Sequence, residues 1–248
     1  MCHNIKLQSG AVFIADAHEN AYRHNLLEFL DGLDSGKISL PTQLFLMGDI
    51  FDLLVGEVTY TRQFYAKIIE CLEKLGEKIP IYYLEGNHDF NLKSIFTHVK
   101  IIPIQNQPLH VKTPLGDLLL WHGDKYGSFA HRFYTKIIRN NLLLRLLNSI
   151  DLRVGFKISK TIMQNLAQKS ICRKMENFKE KTILRLEHYP KNRAWGIGEG
   201  HFHQGWEGEI NGLHYINFPS FACERSYFVV QCVKSMQSVR LQLRGSNV

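Results

Sequence analysis

Four short apolar runs constrain this chain more than any other feature, because each gives way to residues suited to chemistry. Ala11-Val12-Phe13-Ile14-Ala15 leads into Asp16-Ala17-His18, and Gln43-Leu44-Phe45-Leu46-Met47 into Gly48-Asp49-Ile50-Phe51-Asp52. Ile79-Pro80-Ile81-Tyr82-Tyr83-Leu84 is followed by Gly86-Asn87-His88-Asp89, and Leu118-Leu119-Leu120-Trp121 by His122-Gly123-Asp124. Apolar runs of this length, bounded by turn formers, read as buried strands. Ligands of open α/β sheets collect beyond the carboxyl ends of such strands. The polar residues that end the runs can therefore meet at one edge of the fold.

Helical spacing separates the early runs. Leu26, Leu27, Leu30 and Leu33 recur on one stripe within 20–33, and Phe64, Ile68, Cys71, Leu72 and Leu75 within 61–75. Later, Ala194-Trp195-Gly196-Ile197-Gly198 leads to Gly200-His201-Phe202-His203. Residues 213–217, 227–233 and 239–243 then read as successive strands, with Asn211-Gly212 as a hairpin turn. Strands alternating with helices early and following one another late predict sheets covered by helices, an α/β arrangement. At 248 residues, 45% of them hydrophobic, the chain is long enough for one large domain spanning 1–248.

Residues 128–188 break this rhythm. Phe129, Phe133, Ile137, Ile138, Leu142, Leu146 and Leu147 follow helical spacing behind Ser128, a candidate N-cap. Residues 151–167 and 173–187 read as two further helices. The segment is a helical insertion that is both apolar and basic. Between His122 and Pro190 there are 14 Lys and Arg against 5 Asp and Glu, so this stretch carries the whole of the net +7 charge. One reading is a cap whose leucines pack on the core. The other is a lid over the strand ends that offers leucines to an acyl chain or bilayer and cations to phosphate. A basic segment implies an anionic partner. Aromatic residues suited to base stacking are outnumbered there by aliphatic ones, which disfavours nucleic acid.

Five scattered cysteines without a CxxC pair suggest neither a disulfide framework nor a thiolate zinc site, and a reducing compartment fits them best. The N-terminal residues lack a long apolar stretch and a cleavage signal, and no apolar run reaches the roughly 18 residues of a membrane span. The expectation is a cytoplasmic protein.

Seven residues stand at or just beyond the strand ends: Asp16, His18, Asp49, Asn87, His122, His201 and His203. A lone histidine or a single His-x-His would carry little weight, but the set in this order is specific. Carboxylate, imidazole and amide together suit a borderline divalent cation such as Mn, Fe or Zn. With one carboxylate shared, seven ligands divide as four and four, which leaves each metal open to water. Two metals about 3.5 to 4 Å apart activate water and neutralise the charge that builds on phosphorus during in-line displacement. The implied chemistry is phosphoester hydrolysis.

Asp16-Ala17-His18, Gly48-Asp49-Ile50-Phe51-Asp52, Gly86-Asn87-His88-Asp89, His122 and Gly200-His201-Phe202-His203 resemble, in order, the five motifs of the calcineurin-like metallophosphoesterases. That resemblance implies a β-sandwich of two mixed sheets flanked by helices, with 128–188 as a helical lid. It implies one metal held by Asp16, His18, Asp49 and His203, and a second by Asp49, Asn87, His122 and His201. Asp49 would bridge the two and share the catalytic role with His88. The imidazole of His88 would bond the phosphate or leaving-group oxygen as general acid or electrostatic stabiliser. Asp89 would orient His88 or serve as a turn residue.

Within the superfamily, the size, the Gly86 to Phe90 stretch, His122-Gly123-Asp124 and the basic insertion resemble the UDP-2,3-diacylglucosamine diphosphatases of lipid A synthesis. These cleave a UDP-linked diacyl sugar to UMP and the diacyl sugar 1-phosphate, typically with Mn2+. Their better-known form has Arg in the place of His88. The resemblance implies a UDP-linked lipid substrate and peripheral association with the inner membrane through the lid, with Lys125, Arg132, Arg153 and Lys157 as candidate phosphate or head-group contacts. No protein partner is expected. The alternatives are a metallophosphoesterase for another anionic phosphodiester or phosphomonoester, and a scaffold that has lost catalysis.

Overall fold

The computed structural model describes residues 5–124, 137–189, 194–232 and 239–245. The order is β1 (Ile5–Lys6), β2 (Val12–Ile14), α1 (Asn25–Asp34), β3 (Leu44–Leu46), β4 (Leu54–Val55), α2 (Thr59–Phe64), α3 (Ala66–Lys78), β5 (Ile81–Leu84) and β6 (Asp89–Phe90). There follow β7 (Val99–Ile102), β8 (Leu109–Thr113), β9 (Gly116–Trp121), α4 (Asn141–Arg153), α5 (Lys157–Ala167) and α6 (Phe178–Leu186). The chain continues with β10 (Ala194–Glu199), β11 (Trp206–Ile210), β12 (Leu213–Asn217), α7 (Phe221–Glu224), β13 (Ser226–Cys232) and β14 (Val239–Gly245). One six-stranded sheet runs β1-β8-β9-β10-β12-β11 and the other β14-β13-β2-β3-β5-β7, and β4 pairs with β6. Both large sheets mix parallel and antiparallel neighbours.

The sandwich follows from strands that are apolar on both faces, as expected where each face of a sheet is covered. In β2, β3 and β5, Phe13, Phe45 and Tyr82 point into the space between the sheets with Leu118, Leu120 and Phe218. Their neighbours Val12, Ile14, Leu44, Leu46, Ile81 and Tyr83 point the other way, onto α1 and α3. Phe13 stacks on Phe45 at 4.5 Å and on Phe218 at 5.1 Å, and Phe45 on Tyr82 at 4.9 Å. Each such aromatic pair contributes about 0.5–1.5 kcal/mol beyond its buried area. On the far side of the first sheet, Leu119, Trp121, Ile197 and Tyr215 pack on Phe178 and Leu186 of α6. The layers are therefore helix, sheet, sheet, helix. β2, β3 and β5 are parallel and adjacent, so the loops that follow them emerge side by side.

Asn211-Gly212 joins β11 to β12 with φ of 52° and 75°, the left-handed pair that a two-residue hairpin turn requires. Other boundaries differ from those the spacing suggests. The helix read over 61–75 is two helices, broken at Tyr65, whose hydroxyl donates to the Glu19 carbonyl at 2.8 Å. In the insertion, 151–167 is not one helix. Asp151 belongs to α4, and left-handed Gly155 and Phe156 end the turn before α5 starts at Lys157. The Asp151 carboxylate reaches over to accept from the Ile158 amide at 2.9 Å and the Ser159 hydroxyl at 2.5 Å. Asn140 caps α4 through the Leu143 amide at 3.0 Å, so helical spacing up to Leu147 runs across a break. Ser128, Phe129 and Phe133 lie outside the described residues.

The cysteine expectation is corrected. Cys172 and Cys223, 51 residues apart, form a disulfide between the loop after α5 and the short helix α7. Spacing along the chain could not reveal a contact made by folding. Cysteine usage is thereby removed as an argument for a reducing compartment. No described helix is long and apolar enough to cross a membrane.

Candidate metal centre

The loops after β2, β3, β5, β9 and β10 bring all seven candidate ligands to one end of the sandwich. Asp16, His18 and His203 form one cluster whose ligand atoms all lie within 4.8 Å of one another, and Asp49, His122 and His201 form another. In the first, His203 Nε2 lies 3.3 Å from His18 Nε2 and 3.4 Å from Asp16 Oδ1. In the second, His122 Nε2 lies 3.4 Å from Asp49 Oδ2 and 3.3 Å from Asn87 Oδ1, which adds Asn87 to that group. Asp49 presents its other oxygen to the His88 amide at 2.9 Å.

The backbone is bent to achieve this. Asp16, His18, Asp49, His201 and His203 all have φ between 44° and 64°. Non-glycine residues enter that region rarely, and such strain gathers at functional sites. Gly48 (φ 89°) is needed because a Cβ there would run into the His122 ring. Gly86 has a different reason. A Cβ would collide with the Asp49 carboxylate, so Gly86 provides room for the Asp49 loop.

The imidazoles of His18, His122, His203 and His88 are each oriented by a contact from Nδ1. His122 Nδ1 donates to the Met47 carbonyl at 2.9 Å, His203 Nδ1 to the Ile171 carbonyl at 2.8 Å, and His88 Nδ1 to the Asp52 carbonyl at 2.7 Å. His18 Nδ1 faces Asp52 Oδ1 at 3.2 Å. Such partners put the proton on Nδ1 and leave the Nε2 lone pair free to coordinate. Asp52 is in turn held by Asn20 at 2.5 Å and by Arg23 at 2.9 Å, and Arg23 Nε also donates to the His18 carbonyl at 3.0 Å. The roles of Asp52, Asn20 and Arg23 were not legible in the sequence, where only the position of Asp52 inside the Asp49 stretch gave a signal.

His201 is the exception. Its amide donates to both oxygens of Asp16 at 2.9 and 3.0 Å, yet its Nδ1 is buried with no partner among the described residues. A buried nitrogen without a hydrogen bond is costly, and a cation supplies what is missing. Burial and the charge of His122 push its pKa down to about 4, so the ring is neutral and its lone pair available. Burial alone would raise Asp49, but the charges of His122 and His88 outweigh that and hold it well below the usual carboxylate range. Burial would likewise lower His122 and His203, and the carboxylates of Asp49 and Asp16 respectively overcome it and raise them. Four imidazoles, two carboxylates and an amide, without a thiolate, fit divalent metal.

Asp89 opens β6 and serves the loops rather than His88. Its carboxylate accepts from the amides of Asp49 (3.0 Å), Ile50 (2.6 Å) and Gly86 (2.9 Å) and from the Tyr83 hydroxyl (2.5 Å). It thereby fastens the two loops together while the His88 ring is held by the Asp52 carbonyl. Of the four candidate phosphate contacts, Lys125 and Arg132 lie outside the described residues. Arg153 and Lys157 are exposed on the lid and do not line the groove beside the metal centre. Lys169 lines that groove, and Arg139 reaches the Gly86 carbonyl at 2.8 Å. Neither was singled out by sequence, since a cation's spacing does not say which way it faces.

A family description, calcineurin-like phosphoesterase, matches residues 11–203. The chain belongs to the calcineurin-like phosphoesterases. The family description is that of a phosphoesterase, and this chain has two groups of residues that could hold a metal ion. It is similar to proteins named UDP-2,3-diacylglucosamine hydrolase. The one from Proteus mirabilis (strain HI4320) is 26% identical over 200 residues, 78% of this chain and 81% of the relative. That of Pseudomonas putida (strain KT2440) is 26% identical over 155 residues, 61% of this chain and 64% of the relative. Against Coxiella burnetii (strain RSA 493) the identity is 28% over 119 residues, 47% of this chain, and the match spans about half (49%) of that relative's length. Among solved structures, Yfce, a phosphoesterase from E. coli, is similar over 96% of this chain and 99% of that one, at 15% identity and a TM-score of 0.47.

Proposed function

We propose that this phosphoesterase hydrolyses the pyrophosphate of UDP-2,3-diacylglucosamine to UMP and 2,3-diacylglucosamine 1-phosphate, with two divalent metals, Mn2+ in preference to Fe or Zn. The observation that carries this reading is an apolar groove of about 450 Å³ that opens at Asn87 and His88 and runs under the lid. Val55, Phe90, Leu144, Leu147, Ile158 and Ile162 line it. A compact phosphomonoester has no use for such a channel beside the reacting phosphorus, whereas a substrate that joins acyl chains to a pyrophosphate needs one. The names of the relatives point the same way.

One metal is assigned to Asp16, His18 and His203, the other to Asn87, His122 and His201, with Asp49 shared. When bound, the pair supplies Lewis-acid activation of water and charge neutralisation at phosphorus. The chain's own residues do the rest. His88, its Nδ1 tied to the Asp52 carbonyl, lines the groove and, when Nε2 also carries a proton, would donate it to the departing oxygen. Asp52 keeps His18 in register, and Asp89 keeps the loops of Asp49 and Gly86 together. Lid residues Leu142, Leu146 and Ile150 remain exposed beside Arg145, Arg153 and Lys157. This mixed apolar and basic surface suits an anionic bilayer, so we place the enzyme on the cytoplasmic face of the inner membrane.

The test is UMP release. With Mn2+, the protein is expected to hydrolyse UDP-2,3-diacylglucosamine much faster than an aryl phosphodiester. Equal or reversed rates would remove the lipid substrate and leave the family assignment in place.

A further inference from the structure

Arg139 sits at the root of the lid, one residue before the Asn140 cap of α4. Its side chain is only 7% exposed and lies over the Phe90 ring at 5.3 Å. One terminal nitrogen donates to the Gly86 carbonyl at 2.8 Å and approaches Asp124 Oδ2 at 3.4 Å. Nε, the other terminal nitrogen and Asp124 Oδ1 are buried without partners among the described residues. A guanidinium buried with two of its three nitrogens unpaired costs the fold stability, so packing does not account for it.

Its contacts do. Gly86 immediately precedes Asn87, and Asp124 lies two residues beyond His122. Asn87 and His122 are the two ligands 3.3 Å apart in the second cluster. Among the described residues Arg139 makes no hydrogen bond to the loops that carry Asp16, His18 and His203. The same root is gripped from its other side by Asn91, whose amide donates to the Arg139 carbonyl at 3.2 Å and to Asn141 Oδ1 at 3.0 Å. The root of the lid is thus fastened to the second cluster, whereas its far end reaches the first through the Ile171 carbonyl on His203 Nδ1.

We propose that Arg139 is a positioning residue through which the seated lid sets the geometry of Asn87 and His122 and hence the affinity of the second metal site. The proposal rests on the two-metal reading above. A coupling of this kind is reciprocal, so filling the second site also holds the lid root in place.

The experiment is Mn2+ binding by equilibrium dialysis with metal analysis, paired with electron paramagnetic resonance, on the full chain and on Arg139→Met and Arg139→Lys. The wild type is expected to hold two ions with the signal of an exchange-coupled pair. Arg139→Met should keep one ion at wild-type affinity and weaken the second about 10- to 100-fold, the cost typical of losing a contact that orients a ligand. The signal should become that of an isolated ion. Arg139→Lys should fall between, because an ammonium lacks the planar fork. The unaffected first site reports that the variant is folded. Both ions bound at wild-type affinity in Arg139→Met, or both lost in parallel, would overturn the proposal. Should that variant not fold, an unchanged second site in Arg139→Lys overturns it instead. A wild type that holds one ion would defeat the two-metal reading itself, and the proposal with it.

Discussion

Five of the seven candidate ligands hold left-handed backbone conformations, and most of their imidazoles are pinned by a carbonyl or carboxylate on Nδ1. This residue-level arrangement has a consequence for pH. In the metal-free protein His122 and His203 have pKa values raised above the ordinary histidine value, so they hold their protons against an incoming metal more strongly than a free imidazole does. His201, at about 4, is already neutral, and Asp49 is already ionised. A raised pKa means the proton competes more strongly as pH falls, so Mn2+ affinity should drop from pH 8 to pH 6. Filling both sites should release protons. Titration calorimetry in buffers of different ionisation enthalpy measures this, and uptake without proton release, or tighter binding at pH 6, would contradict it. The identities of these ligands were legible in the sequence because each follows an apolar run. Their support was not, because Asn20, Arg23 and the Ile171 carbonyl reach the site from turns and from the lid's end, through contacts that no spacing records. Gly86 illustrates the same gap. Its presence was visible, but its reason is the Asp49 oxygen beside it.

At the scale of elements, the strands with both faces covered were readable because continuous apolar runs leave no other fate. β7, β8 and β11 were not, since half-exposed strands carry Lys100, His110, Lys112 and Glu207 among their apolar residues. The insertion was recognisable as helical, yet its breaks depend on single residues: Asn140 as a cap, Gly155 and Phe156 in left-handed turns. Those breaks fold α4 back against α5 and open the groove between them. Ile162, on α5, lines that groove and is 43% exposed, so Ile162→Asp should leave the fold intact. The expected result is a KM for the diacylated substrate raised by about tenfold, the effect of losing roughly 1.4 kcal/mol of apolar contact. Hydrolysis of a deacylated UDP-sugar should be unchanged. An equal effect on both substrates would mean that the groove does not receive acyl chains.

The whole molecule is a sandwich whose parallel strands β2, β3 and β5 deliver three loops to one rim, with β9 and β10 of the facing sheet supplying the other two. Between the sheets the stacked rings of Phe13, Phe45, Tyr82 and Phe218 fix the spacing of those loops. Around the rim, Asp89 ties the β3 and β5 loops together, the His201 amide ties the β10 loop to Asp16, and Arg139 ties the lid to the loops of Asn87 and His122. The Cys172–Cys223 disulfide closes the far side, where the Ile171 carbonyl orients His203. The central claim is that this rim holds two metals that share Asp49. Anomalous diffraction from Mn2+-loaded crystals tests it most directly. Two peaks about 3.5 to 4 Å apart are predicted, one on Asp16, His18 and His203, the other on Asn87, His122 and His201, with Asp49 touching both. A single peak, or two peaks that do not share Asp49, would contradict the account.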